Sequence, residues 1–72
     1  MKKIKKIEIK INGKFKYVIK NCKILDLVKN LNIPLKKVAI ELNQEIIDKK
    51  KISKIILKKN DKIEIVHFIG GG

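Results

Sequence analysis

The sequence predicts an α+β fold, a small mixed sheet with one short helix laid on one of its faces. Three observations lead there. Apolar residues alternate with polar ones on both sides of Asn12-Gly13, and again over 38–42 and 62–68. Between these stretches the period changes, with Ile24, Leu27, Val28 and Leu31 at the spacing of a single helix face. The order along the 72 residues is strand, strand, helix, strand, short strand, strand.

Ile7, Ile9 and Ile11 alternate with Glu8 and Lys10, the period of a half-buried strand. Ile4 falls on the opposite parity, so the first residues extend past the paired region or bulge. Asn12-Gly13 is the preferred pair for a two-residue type I′ turn, whose central residues both need positive φ. Phe15, Tyr17 and Ile19 then alternate with Lys14, Lys16 and Lys20, which completes a hairpin and assigns its second strand an apolar face.

Asn21 stands where the helix needs an N-cap, and Asn32 where a left-handed residue can close it. Pro34 forbids continuation. A helix this short has no stability alone in water, so its stripe is expected against the apolar face of the hairpin. Val38, Ile40 and Leu42 form a third strand that ends at Asn43-Gln44-Glu45, and Ile46-Ile47 a brief fourth. Residues 52–57 are assigned a short helical turn and Asn60-Asp61 a turn; Lys62 to Phe68 is the last strand, with Ile63 and Ile65 towards the core.

Length and composition bound the rest. A chain of 72 residues makes one domain and removes only ~60 % of its unfolded surface on folding. The apolar share of 44 % still provides a core, one built mainly from isoleucine because aromatics are few. A single cysteine, Cys22, excludes an internal disulfide framework and fits a reducing compartment. No apolar block resembles a signal peptide, and no stretch approaches the ~20 apolar residues that span a bilayer, so a cytoplasmic protein with no membrane partner is expected.

The net charge of +12 raises the question of nucleic acid. All 19 basic residues are lysine, however, and they are spread from Lys2 to Lys62. Bidentate clamping of phosphates and reading of bases lean on the planar fork of arginine. Lysine, isoleucine and asparagine enrichment looks instead like a compositional bias acting on solvated positions, which makes nucleic acid a minor alternative.

Enzymatic chemistry finds few candidates. His67 is the only histidine and Ser53 the only serine, and one cysteine with one histidine is too few ligands for a metal. No glycine-rich loop precedes the helix, so no bound cofactor is expected. Cys22 at a helix start is assigned to packing, and His67 to the end of a strand.

The end of the chain holds more. Gly70-Gly71-Gly72 follow an apolar strand directly, and glycine leaves a terminal carboxylate sterically bare. Activated glycine cannot epimerise, and its slim backbone enters narrow sites. From Ile69 onward four residues at ~3.3–3.6 Å each reach about 13 Å. Val66, Phe68 and Ile69 set apolar side chains just before the glycines for a partner to grip. The bland alternative is an end without a role.

Two stretches carry a resemblance: 38–47, with Val38-Ala39-Ile40-Glu41-Leu42-Asn43-Gln44, and 59–72, closing on DKIEIVHFIGGG. Together with the Asn12-Gly13 hairpin and the helix in their order, they resemble the ThiS family of sulfur carriers in thiamin biosynthesis. That resemblance implies a ubiquitin-like β-grasp domain over 1–72 with a flexible tail at 69–72, monomeric on its own. It also implies a mechanism. A ThiF-type adenylyltransferase would use ATP to adenylate the Gly72 carboxylate. A cysteine desulfurase relay would supply sulfur in place of AMP, and the thiocarboxylate would serve the thiazole synthase ThiG. Gly71-Gly72 match the terminal pair of the family, with Gly70, Ile69, Phe68 and Val66 as partner-binding residues. Family members often have Asn-Gly where this chain has Asn43-Gln44, so that turn must close without glycine.

Three other readings stand beside it. The small subunit of molybdopterin synthase shares the chemistry, but tails of that family tend to carry prolines where Phe68-Ile69 stand. A ubiquitin-like modifier shares the activation and ends in an isopeptide. A basic nucleic-acid-binding module would make no use of the tail.

Overall fold

The structure is a computed structural model that describes residues 4–68. Ile69, Gly70, Gly71 and Gly72, and with them the expected tail, lie outside the described residues. β1 (Lys6–Ile11) and β2 (Lys14–Ile19) pair antiparallel around Asn12-Gly13, at φ 49 and 82, the two positive angles that a type I′ turn needs. After α1 (Ile24–Asn30), β3 (Val38–Leu42) and β4 (Glu45–Ile46) make a second hairpin around Asn43-Gln44, at φ 51 and 73. β5 (Lys62–His67) lies between β1, to which it runs parallel, and β3, to which it runs antiparallel. The sheet is mixed and five-stranded, in the order β2-β1-β5-β3-β4.

Strand parity sorts the side chains. Ile9, Val18, Val38, Ile40, Ile63 and Ile65 are buried on the inner face against Ile24, Leu27 and Val28 of α1. Full burial of such a side chain contributes about 1.5–3 kcal/mol, so this layer supplies most of the driving force.

Phe15, Tyr17 and Ile19 do not join it. The register pairs Phe15 with Lys10 and Tyr17 with Glu8, which turns all three to the outer face, where they are exposed. The expected helix-facing stripe of β2 is therefore corrected to Val18 alone, with Lys14 and Lys16 on its parity. Ile7, Ile9 and Ile11 already occupy the inner face of β1, and Lys14 and Lys16 are exposed beside it. The Glu8 carboxylate opposite Tyr17 pushes the phenol pKa up, first by favouring the hydroxyl as a hydrogen-bond donor and then through its charge.

The helix ends differ in how well they were foreseen. Asn32 adopts φ 55; its amide donates to the Lys29 carbonyl at 3.1 Å and that of Ile33 to Val28 at 3.1 Å, a Schellman closure. At the other end Asn21 is not the N-cap. It sits at φ 72 in the turn that leaves β2, and the cap is Lys23, whose amide donates to Asp26 Oδ2 at 3.2 Å. The first helical amides, Ile24 and Leu25, donate to the carbonyls of Ile55 and Ile52 in the connection between β4 and β5. A neighbouring segment thus satisfies donors that a side chain was expected to take. In that connection the helical turn falls at Lys49–Lys51 rather than over 52–57; Ile52 and Leu57 plug the core, and Ile56 bridges to Lys23.

Two turn asparagines do a second task. Asn12 Oδ1 accepts the Ile65 amide at 2.7 Å, and its Nδ2 reaches the Ile65 carbonyl at 3.4 Å. Asn43 Oδ1 accepts the Lys62 amide at 2.9 Å, while its Nδ2 donates to Asp61 Oδ1 at 3.1 Å. Each amide continues a ladder past the point where the backbone turns away. Asn12→Gly keeps the turn angle but strands the Ile65 amide; urea unfolding should show a loss of about 1–3 kcal/mol. Gln44 holds a left-handed angle that costs an ordinary side chain ~1–2 kcal/mol, part of which glycine returns through a freer unfolded chain. Gln44→Gly should raise stability by about 0.5–1 kcal/mol, a thermal midpoint higher by about 2–8 °C.

Candidate partner-docking site at the end of the last strand

The outer face of β5 presents Glu64 and Val66, and the next residue of the same parity is Phe68. The Phe68 amide donates to the Lys37 carbonyl at 2.8 Å, so pairing with the β3 side continues one residue past His67. The described chain is therefore still hydrogen-bonded to the sheet at Phe68. Val66 is 48 % and Phe68 57 % exposed, high for apolar side chains on a central strand. Lys49 Nζ stands 5.2 Å from the centroid of the Phe68 ring, a cation over its π face.

The register adds residues whose place the sequence did not disclose. Ala39 lies opposite Val66, Glu41 opposite Glu64, and Ile46 opposite Glu41 on the far side. Ile46 is 77 % exposed. The outer face near the chain exit therefore combines an apolar group, Val66, Phe68 and Ile46, with two carboxylates directly across from each other. Like charges at opposed positions destabilise a sheet, and here they do so in a chain of net charge +12. The two facing carboxylates make an acidic spot on a protein that is otherwise strongly basic.

Of the residues singled out in the sequence, Val66 and Phe68 come together at this exit, while Ile69, Gly70, Gly71 and Gly72 lie outside the described residues. His67 has the inner parity, opposite Val38, and does not share the face. Cys22 lies beyond β2, before the helix, with Sγ 3.4 Å from the Lys23 carbonyl. Burial first, and then the Asp26 charge, push its pKa up, which keeps the thiol protonated and a poor nucleophile at neutral pH. Among the described residues no group of three or more His, Cys, Asp and Glu could hold a metal. No helix in that range is long and apolar enough to cross a membrane.

The ThiS family model matches residues 9–72. The sulfur carrier protein ThiS of Bacillus subtilis is 40 % identical over 65 residues, 89 % of this chain and 98 % of that protein. A thiazole synthase of Paramagnetospirillum magneticum is 35 % identical over 66 residues, which cover 92 % of this chain but 20 % of the synthase. The chain thus spans about a fifth of the length of that relative. The crystal structure of a thiamine biosynthesis protein (ThiS) from Geobacter metallireducens is similar at a TM-score of 0.81 and 26 % identity, over 92 % of this chain and all of that one. The likeness establishes the ubiquitin-like β-grasp fold.

The opposed carboxylates have a measurable cost. Glu64→Gln should raise stability in low salt by about 0.2–1 kcal/mol, and added salt should shrink the gain as it screens the pair. Chemical unfolding of both proteins at two ionic strengths checks the sign and the salt dependence.

Proposed function

The chain belongs to the ThiS family, and we propose that it is a sulfur carrier for thiamin thiazole synthesis whose Gly72 carboxylate is the group that is loaded. The observation that carries the reading is the family match running through Gly72, directly beyond an apolar, partner-ready exit at Val66 and Phe68. A ThiF-type adenylyltransferase joins the carboxylate to the AMP part of ATP and releases pyrophosphate. The outer sulfur of a persulfide on a cysteine desulfurase relay then displaces AMP at the acyl carbon, and a thiol reduces the resulting acyl disulfide, leaving a thiocarboxylate and an oxidised disulfide. The chain is a co-substrate in these steps: ATP binds to the partner, and the chemistry belongs to the partner.

The residues of this chain present the acid. The Phe68 bond to Lys37 and the Asn12 clamp on Ile65 hold the strand rigid up to the exit, so a partner that grips the outer face knows where the tail begins. Val66, Phe68 and Ile69 fill an apolar groove on that partner, and Glu41 with Glu64 meets a cation there. The slim glycines then thread into the active site. That a protein named thiazole synthase contains a segment similar to this chain supports a thiazole synthase, ThiG, as the acceptor of the sulfur.

Intact-mass measurement after incubation with a ThiF-type enzyme, ATP and a sulfur source should show one oxygen exchanged for sulfur. A variant with one alanine appended after Gly72 should fold identically and remain unloaded. Equal loading of both proteins would overturn the terminal-carboxylate reading.

A further inference from the structure

The opposite edge of the sheet carries a surface that the C-terminal exit does not use. β2 is an edge strand, paired only with β1. The Lys20 amide donates to the Lys5 carbonyl across that pair, so by antiparallel alternation the even-numbered residues of β2 point their peptide groups at β1. The amides of Phe15, Tyr17 and Ile19 therefore face the open edge. Beside this edge, between β2 and α1, lies a groove of about 610 Å³. Val18, Leu27 and Leu31 form its apolar floor, and Lys16 and Lys20 stand on its rim, with Asp26 as its one acidic lining residue.

We propose that the β2 edge and this groove receive an extended segment of a partner protein, apolar in its middle and acidic at its flanks, which adds to the sheet as a further strand. Each part of the surface specifies a part of the segment. The outward amides of β2 need peptide carbonyls in an extended chain, which supplies the affinity of strand addition. The groove takes alternate side chains of that strand, and its floor selects branched aliphatic ones. On the outer side Phe15, Tyr17 and Ile19, all exposed, cover the remaining side chains. Lys14, Lys16 and Lys20 share one parity along the edge, so flanking aspartates or glutamates meet cations wherever the segment runs past the apolar floor.

A second copy of the chain fits poorly, because pairing two β2 edges would set two rows of lysines against each other. Nucleic acid has the charge but lacks the peptide groups that the edge requires. β1 lies between β2 and β5, so the two docking surfaces are separated by about 10 Å of sheet.

The test uses the full chain and a short fluorescein-labelled peptide with a valine–isoleucine core flanked by glutamates. Anisotropy should report binding that weakens with salt, and amide spectra should shift at Phe15, Tyr17 and Ile19. A peptide with proline in its core, or with lysines for the glutamates, should bind at least about tenfold more weakly. Tyr17→Pro removes an outward amide at an edge position that tolerates proline, and should abolish binding with the far-ultraviolet spectrum retained. Should that variant not fold, the pair Lys16→Glu and Lys20→Glu should abolish binding instead. Shifts confined to β5, equal binding of the control peptides, tighter binding of an RNA oligomer at the same residues, or self-association through these amides would each overturn the proposal.

Discussion

The strand made last along the chain is the middle of the sheet, and the fold depends on how it is held. β5 has only two residues in register with β1, Lys62 and Ile63 opposite Lys10 and Ile11. Beyond them β1 turns away into its hairpin, and the Asn12 amide takes over as a surrogate residue, bonded to Ile65 across 53 positions of sequence. On the other flank Asn43 clasps Lys62 in the same manner. Both hairpins are local, but neither buries its inner face until β5 enters between them. Contacts this distant in sequence are entropically costly to close, so insertion of β5 is the step that commits the fold.

The last residues of β5 present their outer face from a strand in the middle of the sheet. The register of β5 with β1 ends at Ile63, and at Val66 and Phe68 the backbone is held from the β3 side, opposite Ala39 and by the Lys37 carbonyl. Val66 stands on the strand, and Phe68, the first residue past it, is tied to the sheet by one backbone bond. The edge strand β2 offers the opposite arrangement. Its outward amides are open and its neighbours are lysines, a combination that repels copies of itself while leaving the backbone available to an acidic chain.

The hairpin turns, the helix stripe, the Asn32 closure and the inward pair Ile63 and Ile65 were all legible, because each rests on local chemistry within a few residues. The face of β2 was not. Alternation separates Phe15, Tyr17 and Ile19 from their lysine neighbours, but it says nothing about which side the helix covers. That is decided by register to Ile7, Ile9 and Ile11, and the larger, more apolar set lost to Val18. The N-cap failed for a related reason: Asn21 has the right chemistry, but the distant carbonyls of Ile52 and Ile55 take the amides first. Glu41 and Glu64 are 23 residues apart and share a site only through β3–β5 pairing, which periodicity alone does not set. What the sequence did disclose about the site was its apolar spacing at Val66 and Phe68.

The lysine excess acquires a physical role in this arrangement. Both phenylalanines are exposed, and each carries an ammonium over its ring, Lys10 over Phe15 at 4.9 Å and Lys49 over Phe68 at 5.2 Å. Each contact is worth about 0.5–1 kcal/mol at an exposed site, too little to matter for the fold. Its effect is on association. A cation parked over an aromatic ring keeps the ring solvated, and a second copy bringing the same cation to the same ring is repelled. A partner with a carboxylate near its groove reverses the sign of that interaction.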